Sequence, residues 1–112
     1  YLPTFCFFKT PSSANLLSIS ILKILNKKKD NVILPSLTWS SDIASVIQNN
    51  LKPIFVDINL NNLSMNLEEV KKKINKKTMA VFITHAQGFN GLTKDFIDFL
   101  KKKKNFSYRR CM

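Results

Sequence analysis

Three short apolar runs restrict what this chain can fold into: "NVILP" at 31–35, "KPIFVDI" at 52–58 and "TMAVFITH" at 78–85. None alternates with polar residues. Each therefore reads as a strand that is apolar on both faces, and such a strand must be covered from both sides. Helix-period stretches separate the runs. Residues 13–26 place Leu17, Ile21, Ile24 and Leu25 on one face, and residues 41–51 place Ile43, Val46, Ile47 and Leu51 on one side, with Ser and Asp as start signals. Asn66 and Glu69 have the spacing of a capping box at the head of "LEEVKKKIN", whose apolar side is Leu67, Val70 and Ile74. Thr93 caps a last helix expected to reach about 104, with Leu92 and Ile97 spaced as a hydrophobic staple. Strands alternating with helices predict an α/β fold, a mostly parallel sheet with helices on both faces. Such sheets carry their sites at the carboxyl ends of the strands. Trp39 and His85 both follow strands, so both are expected on that edge.

A chain of 112 residues holds one domain or part of a larger one, and neither an internal repeat nor a linker divides it. The opening "YLPTFCFF" has no basic leader and no small-residue cleavage site, so it does not read as a signal peptide; without an initiator Met, it suggests a missing start. No apolar run has the length of a membrane span. Cys6 and Cys111 lie near opposite ends and form neither a metal motif nor a disulfide framework, which suits a reducing cytoplasm.

The net charge of +11 has two readings. One is a basic module that binds nucleic acid or a membrane surface. The other is a coding bias, because the charge is almost all lysine, in runs at 27–29, 71–73, 76–77 and 101–104, while Arg occurs only at 109 and 110. Lys, Asn and Ile are abundant together and share A/T-rich codons. Three of the runs also fall near helix ends, where cations favour the helix dipole. The second reading is the simpler one, and neither a nucleic-acid nor a membrane partner is expected.

Two segments suggest a ligand. In "TPSSANLL" (10–17), Thr10 suits an N-cap and Pro11 the first helical position, which leaves the amides of Ser12 and Ser13 pointing outward beside two hydroxyls. That is an anion site or an ordinary capped helix. In "LPSLTWSSDIASV" (34–46), the chain's only tryptophan, Trp39, stands where a strand turns into a helix, as a rim residue or a ligand platform. Together they suit a flat ring that carries a phosphate.

"SSANLL", "VILPSLTWSSDIASVI", "KPIFVDIN…LSMNLEEV" and "AVFITHAQGFNGL" resemble, in order and spacing, the DegT/DnrJ/EryC1/StrS family of sugar aminotransferases over roughly residues 10–104. The resemblance implies a fragment of the large domain of a pyridoxal 5'-phosphate (PLP) enzyme of fold type I, the aspartate-aminotransferase type. It implies that Ser12 and Ser13 hold the cofactor phosphate and that Trp39 stacks on the pyridine ring. His85, Gln87 and Gly88 would line the substrate side, although a lone strand-end His is also commonly structural. One departure stands out: the family usually has Gly where this chain has Pro11, and proline offers no amide to a phosphate. The implied reaction moves an amino group from a donor such as glutamate to a nucleotide-linked keto-sugar, for polysaccharide or related glycan synthesis, in a homodimer. A sugar 3-dehydrase of the same family is the alternative.

No catalytic residue is assigned within the chain. The family's cofactor-linked Lys, and the Asp that pairs with the pyridine nitrogen, are expected beyond it. The lysines present read as solvated helix ends. Residues 1–112 are thus expected to be one partial domain, and its tail "NFSYRRCM" (105–112) to be out of frame. Read one base later with A/T-rich codons, the tail becomes Ile-Phe-Leu-Ile-Glu-Asp-Val, the family's next strand with its Glu-Asp pair. Sequencing the coding DNA tests this expectation.

Overall fold

A computed structural model of the chain describes residues 9–102 and the pair 109–110. The elements are α1 (Pro11–Leu25), β1 (Asn31–Pro35), α2 (Ser40–Gln48), β2 (Lys52–Val56), α3 (Leu67–Lys73), β3 (Thr78–Ile83), a single 3-10 turn (Ala86–Gly88), α4 (Lys94–Lys102) and β4 (Arg109–Arg110). The strands lie in the order β2-β1-β3-β4 and every neighbouring pair is parallel. The expected parallel α/β sheet is present.

Side chains alternate across the sheet, and the two faces bury two separate cores. On one face, Val32 and Leu34 of β1 and Ala80 and Phe82 of β3 pack with Ile19 and Leu22 of α1 and Val46 of α2. On the other, Ile33, Val81 and Ile83 pack with Val70 of α3 and with Phe96 and Leu100 of α4. Met79 breaks the alternation because the register between β1 and β3 slips by one residue there: Asn31 faces Thr78, but Val32 faces Ala80. Each buried side chain of this size contributes about 1.5–3 kcal/mol relative to exposure.

Three expectations need correction. The stripe Leu17, Ile21, Ile24 and Leu25 is not the packing face of α1, since all four are exposed and Ile19 and Leu22 are buried instead. "NLLSISILKIL" carries apolar residues around most of its circumference, so period alone could not choose a face. Polar contacts orient the helix: Ser20 donates to Asn49 Oδ1 at 2.8 Å, and the Lys23 ammonium donates to the Asn49 carbonyl. On α2, Ile47 is exposed, while Asp42 and Ser45 are buried beside Val46. Finally, β2 is not a fully buried strand. It pairs only with β1, and Val56 alone among its residues is buried. An edge strand also accommodates Pro53, whose missing N–H would break an interior ladder.

The caps are close to expectation. Thr10 Oγ1 accepts the Ser13 N–H at 3.3 Å, and Pro11 opens α1. Asn66 Oδ1 accepts from the amides of Glu68 and Glu69 at 3.0 and 3.3 Å. The box is only half formed, because the Asn66 N–H goes to the Asp57 carbonyl and Glu69 pairs with Lys72 and Lys73. Thr93 Oγ1 accepts the Phe96 N–H at the start of α4.

The expected helix end at 104, both cysteines and most of the segment 105–112, expected to be out of frame, lie outside the described residues. Arg109 and Arg110 do pair with Phe82 and Ile83, over two residues only. A ladder is made by backbone groups, so an arginine pair that would suit a buried strand poorly can still extend it briefly. Among the described residues, no helix is long and apolar enough to cross a membrane.

Candidate functional site

β1 and β3 both end by handing their next residues to loops, and those loops meet the amino end of α1. A cleft of about 390 Å³ opens there, at the carboxyl edge of the sheet. Ser12, Asn15, Trp39, Asp42, Thr84 and His85 are among the residues that line it. Its size falls within the range of small-molecule sites, about 300–1,000 Å³.

The α1 wall is a helix N-terminus whose first-turn amides have no intrahelical partner. The Ser13 amide is held by Thr10, and the Ser13 hydroxyl lies 3.0 Å from Thr10 Oγ1. Pro11 has no N–H. The Ser12 amide is therefore the backbone donor that this end leaves for a ligand, beside the Ser12 and Ser13 hydroxyls. Another wall is Trp39, the N-cap of α2, a residue that is 72% exposed.

The His85 wall is shaped by glycine. Gly91 N–H donates to His85 Nδ1 at 3.0 Å, and a Cβ on Gly91 would stand 3.0 Å from both Ile83 Cγ2 and the Thr84 carbonyl oxygen. An imidazole nitrogen that accepts carries no proton, so the proton of the neutral ring sits on Nε2. Nε2 is buried and has no hydrogen-bond partner among the described residues. Gln87, at φ 53, and Gly88, at φ 81, turn the chain through the left-handed region just after His85.

Of the six residues singled out in the sequence, three share the cleft: Ser12, Trp39 and His85. Ser13 lines an adjoining hollow between α1 and α2, together with Ser12. Gln87 lines a second hollow on the far side of Trp39, with Thr38 and Thr84. Gly88 is exposed and lines none of the three.

The family model of the DegT/DnrJ/EryC1/StrS aminotransferase family matches residues 8–97. The chain belongs to this family. GDP-perosamine synthase of Vibrio cholerae is 39% identical over 59 residues, which is 53% of this chain and 16% of that protein. GDP-4-keto-6-deoxy-D-mannose 3-dehydratase of Escherichia coli O55:H7 is 35% identical over 81 residues, or 69% of this chain and 21% of that protein. A solved GDP-4-keto-6-deoxymannose-3-dehydratase with a trapped PLP-glutamate geminal diamine matches with a TM-score of 0.76 at 29% identity, over 88% of this chain and 26% of that one. The fold is therefore that of the large domain of fold type I PLP enzymes, and the cofactor of the family is pyridoxal 5'-phosphate. The chain spans about a fifth of the length of these relatives.

The cleft fits that cofactor in outline: an open helix start for a phosphate and an exposed Trp39 for a ring, in a cleft of small-molecule size. Asn15, Asp42 and Thr84 are among the lining residues that escaped the sequence reading. Asn15 Nδ2 donates to Asp42 Oδ1 at 2.9 Å, and Thr38 Oγ1 donates to Asp42 Oδ2 at 2.7 Å. The available signal was a carboxylate in the first turn of α2, which reads first as a favourable dipole partner. Its burial depends on α1 lying across α2, and no local pattern encodes that.

Proposed function

We propose that this chain carries the phosphate- and ring-holding part of a PLP site in an aminotransferase acting on a nucleotide-linked keto-sugar, for polysaccharide or related glycan synthesis. The observation that carries the reading is the convergence of Ser12, Trp39 and His85 on one cleft at the carboxyl edge of the sheet.

The Ser12 amide and hydroxyl donate to the phosphate, where the helix dipole also favours negative charge. Ser13 contributes its hydroxyl. Its amide is already committed to Thr10, so with Pro11 beside it the cradle holds the phosphate with fewer amides than a glycine at that position would allow. The Trp39 indole lies over one face of the pyridine ring and excludes water from it. His85 faces the substrate side as a neutral imidazole fixed by Gly91, with Gln87 and Gly88 forming the turn beyond it. Bound PLP supplies an electron sink for amino-group transfer. Among the described residues no lysine lines the cleft, and the covalent and acid–base lysine of the reaction is assigned to the remainder of the parent protein, as is the partner for the pyridine nitrogen. The donor is an amino acid such as glutamate, and the parent works as a cytoplasmic homodimer. This chain alone binds the cofactor without turning over substrate.

A PLP-dependent sugar 3-dehydrase is the second reading, supported by the 35% identical dehydratase. The residue at the covalent position of the parent separates the two, Lys for amino transfer and His for dehydration.

Pyridoxamine 5'-phosphate tests the binding claim, because it has no aldehyde to react with surface lysines. Titrated into the chain, it should quench the single tryptophan saturably, and Ser12→Ala should weaken that binding by about tenfold, as expected for a lost hydrogen bond to a charged group. Linear, unsaturable quenching would refute the site.

A further inference from the structure

Asp42 is 4% exposed and lies in the cleft wall, yet none of the proposed cofactor contacts uses it. Its two oxygens face different elements. Oδ1 accepts from Asn15 on α1, and Oδ2 accepts from Thr38 on the loop between β1 and α2. Thr38 Oγ1 also lies 2.7 Å from Thr84 Oγ1, just past the end of β3. A hydroxyl has one proton to donate. Thr38 gives its proton to Asp42, so Thr84 must be the donor to Thr38. The direction of the chain is therefore fixed: Thr84 to Thr38 to Asp42, with Asn15 arriving from the other side.

That chain joins the walls of the cleft. Thr38 is the residue before Trp39, and Thr84 the residue before His85. Thr38 and Thr84 are 46 positions apart, and Asn15 and Asp42 are 27 apart. Between them, three polar contacts set where the indole, the imidazole and the α1 start stand relative to one another. Hydrogen bonds to a carboxylate are short and roughly twice as strong as neutral ones, which suits a buried junction of this kind.

We propose that Asp42 is the positioning residue of the cleft, holding the Trp39 corner, the His85 corner and α1 in one arrangement through Thr38, Thr84 and Asn15. Its consequence for PLP rests on the cofactor reading above, but the positioning itself does not.

Amide hydrogen exchange of the ligand-free 112-residue chain provides the test. Asp42→Ala should speed exchange by about tenfold at residues 37–40 and also at 84–88, while the amides inside β1 and β3 keep their rates. Asp42→Asn should change either segment by less than about threefold, because Asn can accept from Thr38 and donate to a flipped Asn15 amide. Thr38→Val, on a half-exposed loop, should loosen 84–88 without loosening the amino half of α1. If Asp42→Ala speeds only its own neighbours, or Asp42→Asn is as disruptive as Asp42→Ala, the proposal is overturned. Should Asp42→Ala fail to fold, unchanged exchange at 84–88 in Thr38→Val overturns it equally. Because no ligand is present, this outcome is independent of whether pyridoxamine 5'-phosphate quenches Trp39 in the unsubstituted 112-residue chain.

Discussion

Gly91 shows how one residue can set a wall of the cleft. It is buried, its N–H fixes the His85 ring, and any side chain there would press on Ile83 and the Thr84 carbonyl. Gly91→Ala is expected to destabilise the fold by about 1–3 kcal/mol, the usual range for overpacking, measured by urea denaturation. The same substitution should shift the His85 ring resonances, since the neighbouring amide must move. Trp39 and Ser12 were legible in the sequence because each has a local signature, an aromatic at a strand-to-helix corner and a hydroxyl in a capped first turn. Asn15 and Asp42 were not. Their roles come from two helices lying side by side, and a polar pair 27 residues apart leaves no periodic trace. Gly88, read as part of the substrate wall, is exposed and is not among the residues that line the cleft.

At the scale of elements, the strands were the most readable part. β1 begins and ends where its apolar run does, whereas the runs at 52–58 and 78–85 outlast their ladders by two residues each, β2 ending at Val56 and β3 at Ile83. Beyond β3, those two residues are Thr84 and His85, which leave the sheet to line the cleft. Helix starts were likewise readable, because caps are local chemistry. Asn66→Ala removes the acceptor for two amides of α3 and is expected to cost about 1 kcal/mol, or roughly 4–8 °C in Tm for a domain near this size, checked by calorimetry. Helix faces were the least readable. α1 is apolar nearly all round, and the side that packs was selected by Ser20, Lys23 and Asn15 reaching α2 and its following loop.

Across the whole molecule, several of the lysines lie at the opposite edge of the sheet from the cleft. The lysines at 27–29 precede β1, Lys52 begins β2, and the lysines at 76–77 precede β3, so all stand at the amino edge of the sheet, away from the cleft. Leu17, Ile21, Ile24 and Leu25 leave an apolar stripe open along α1, Leu25 being 72% exposed. A stripe of that kind favours association. Sedimentation velocity should show mass rising with concentration, and Ile24→Gln with Leu25→Gln should reduce it without loss of helix by circular dichroism. The proposed cofactor cleft is best tested by position. In a two-dimensional nitrogen–proton NMR titration with pyridoxamine 5'-phosphate, the Trp39 indole N–H and the backbone amides of Ser12 and His85 should shift together and saturate at one concentration. Shifts confined to the lysine-rich amino edge, or none at the indole, would contradict the cleft as the place where this chain holds its ligand.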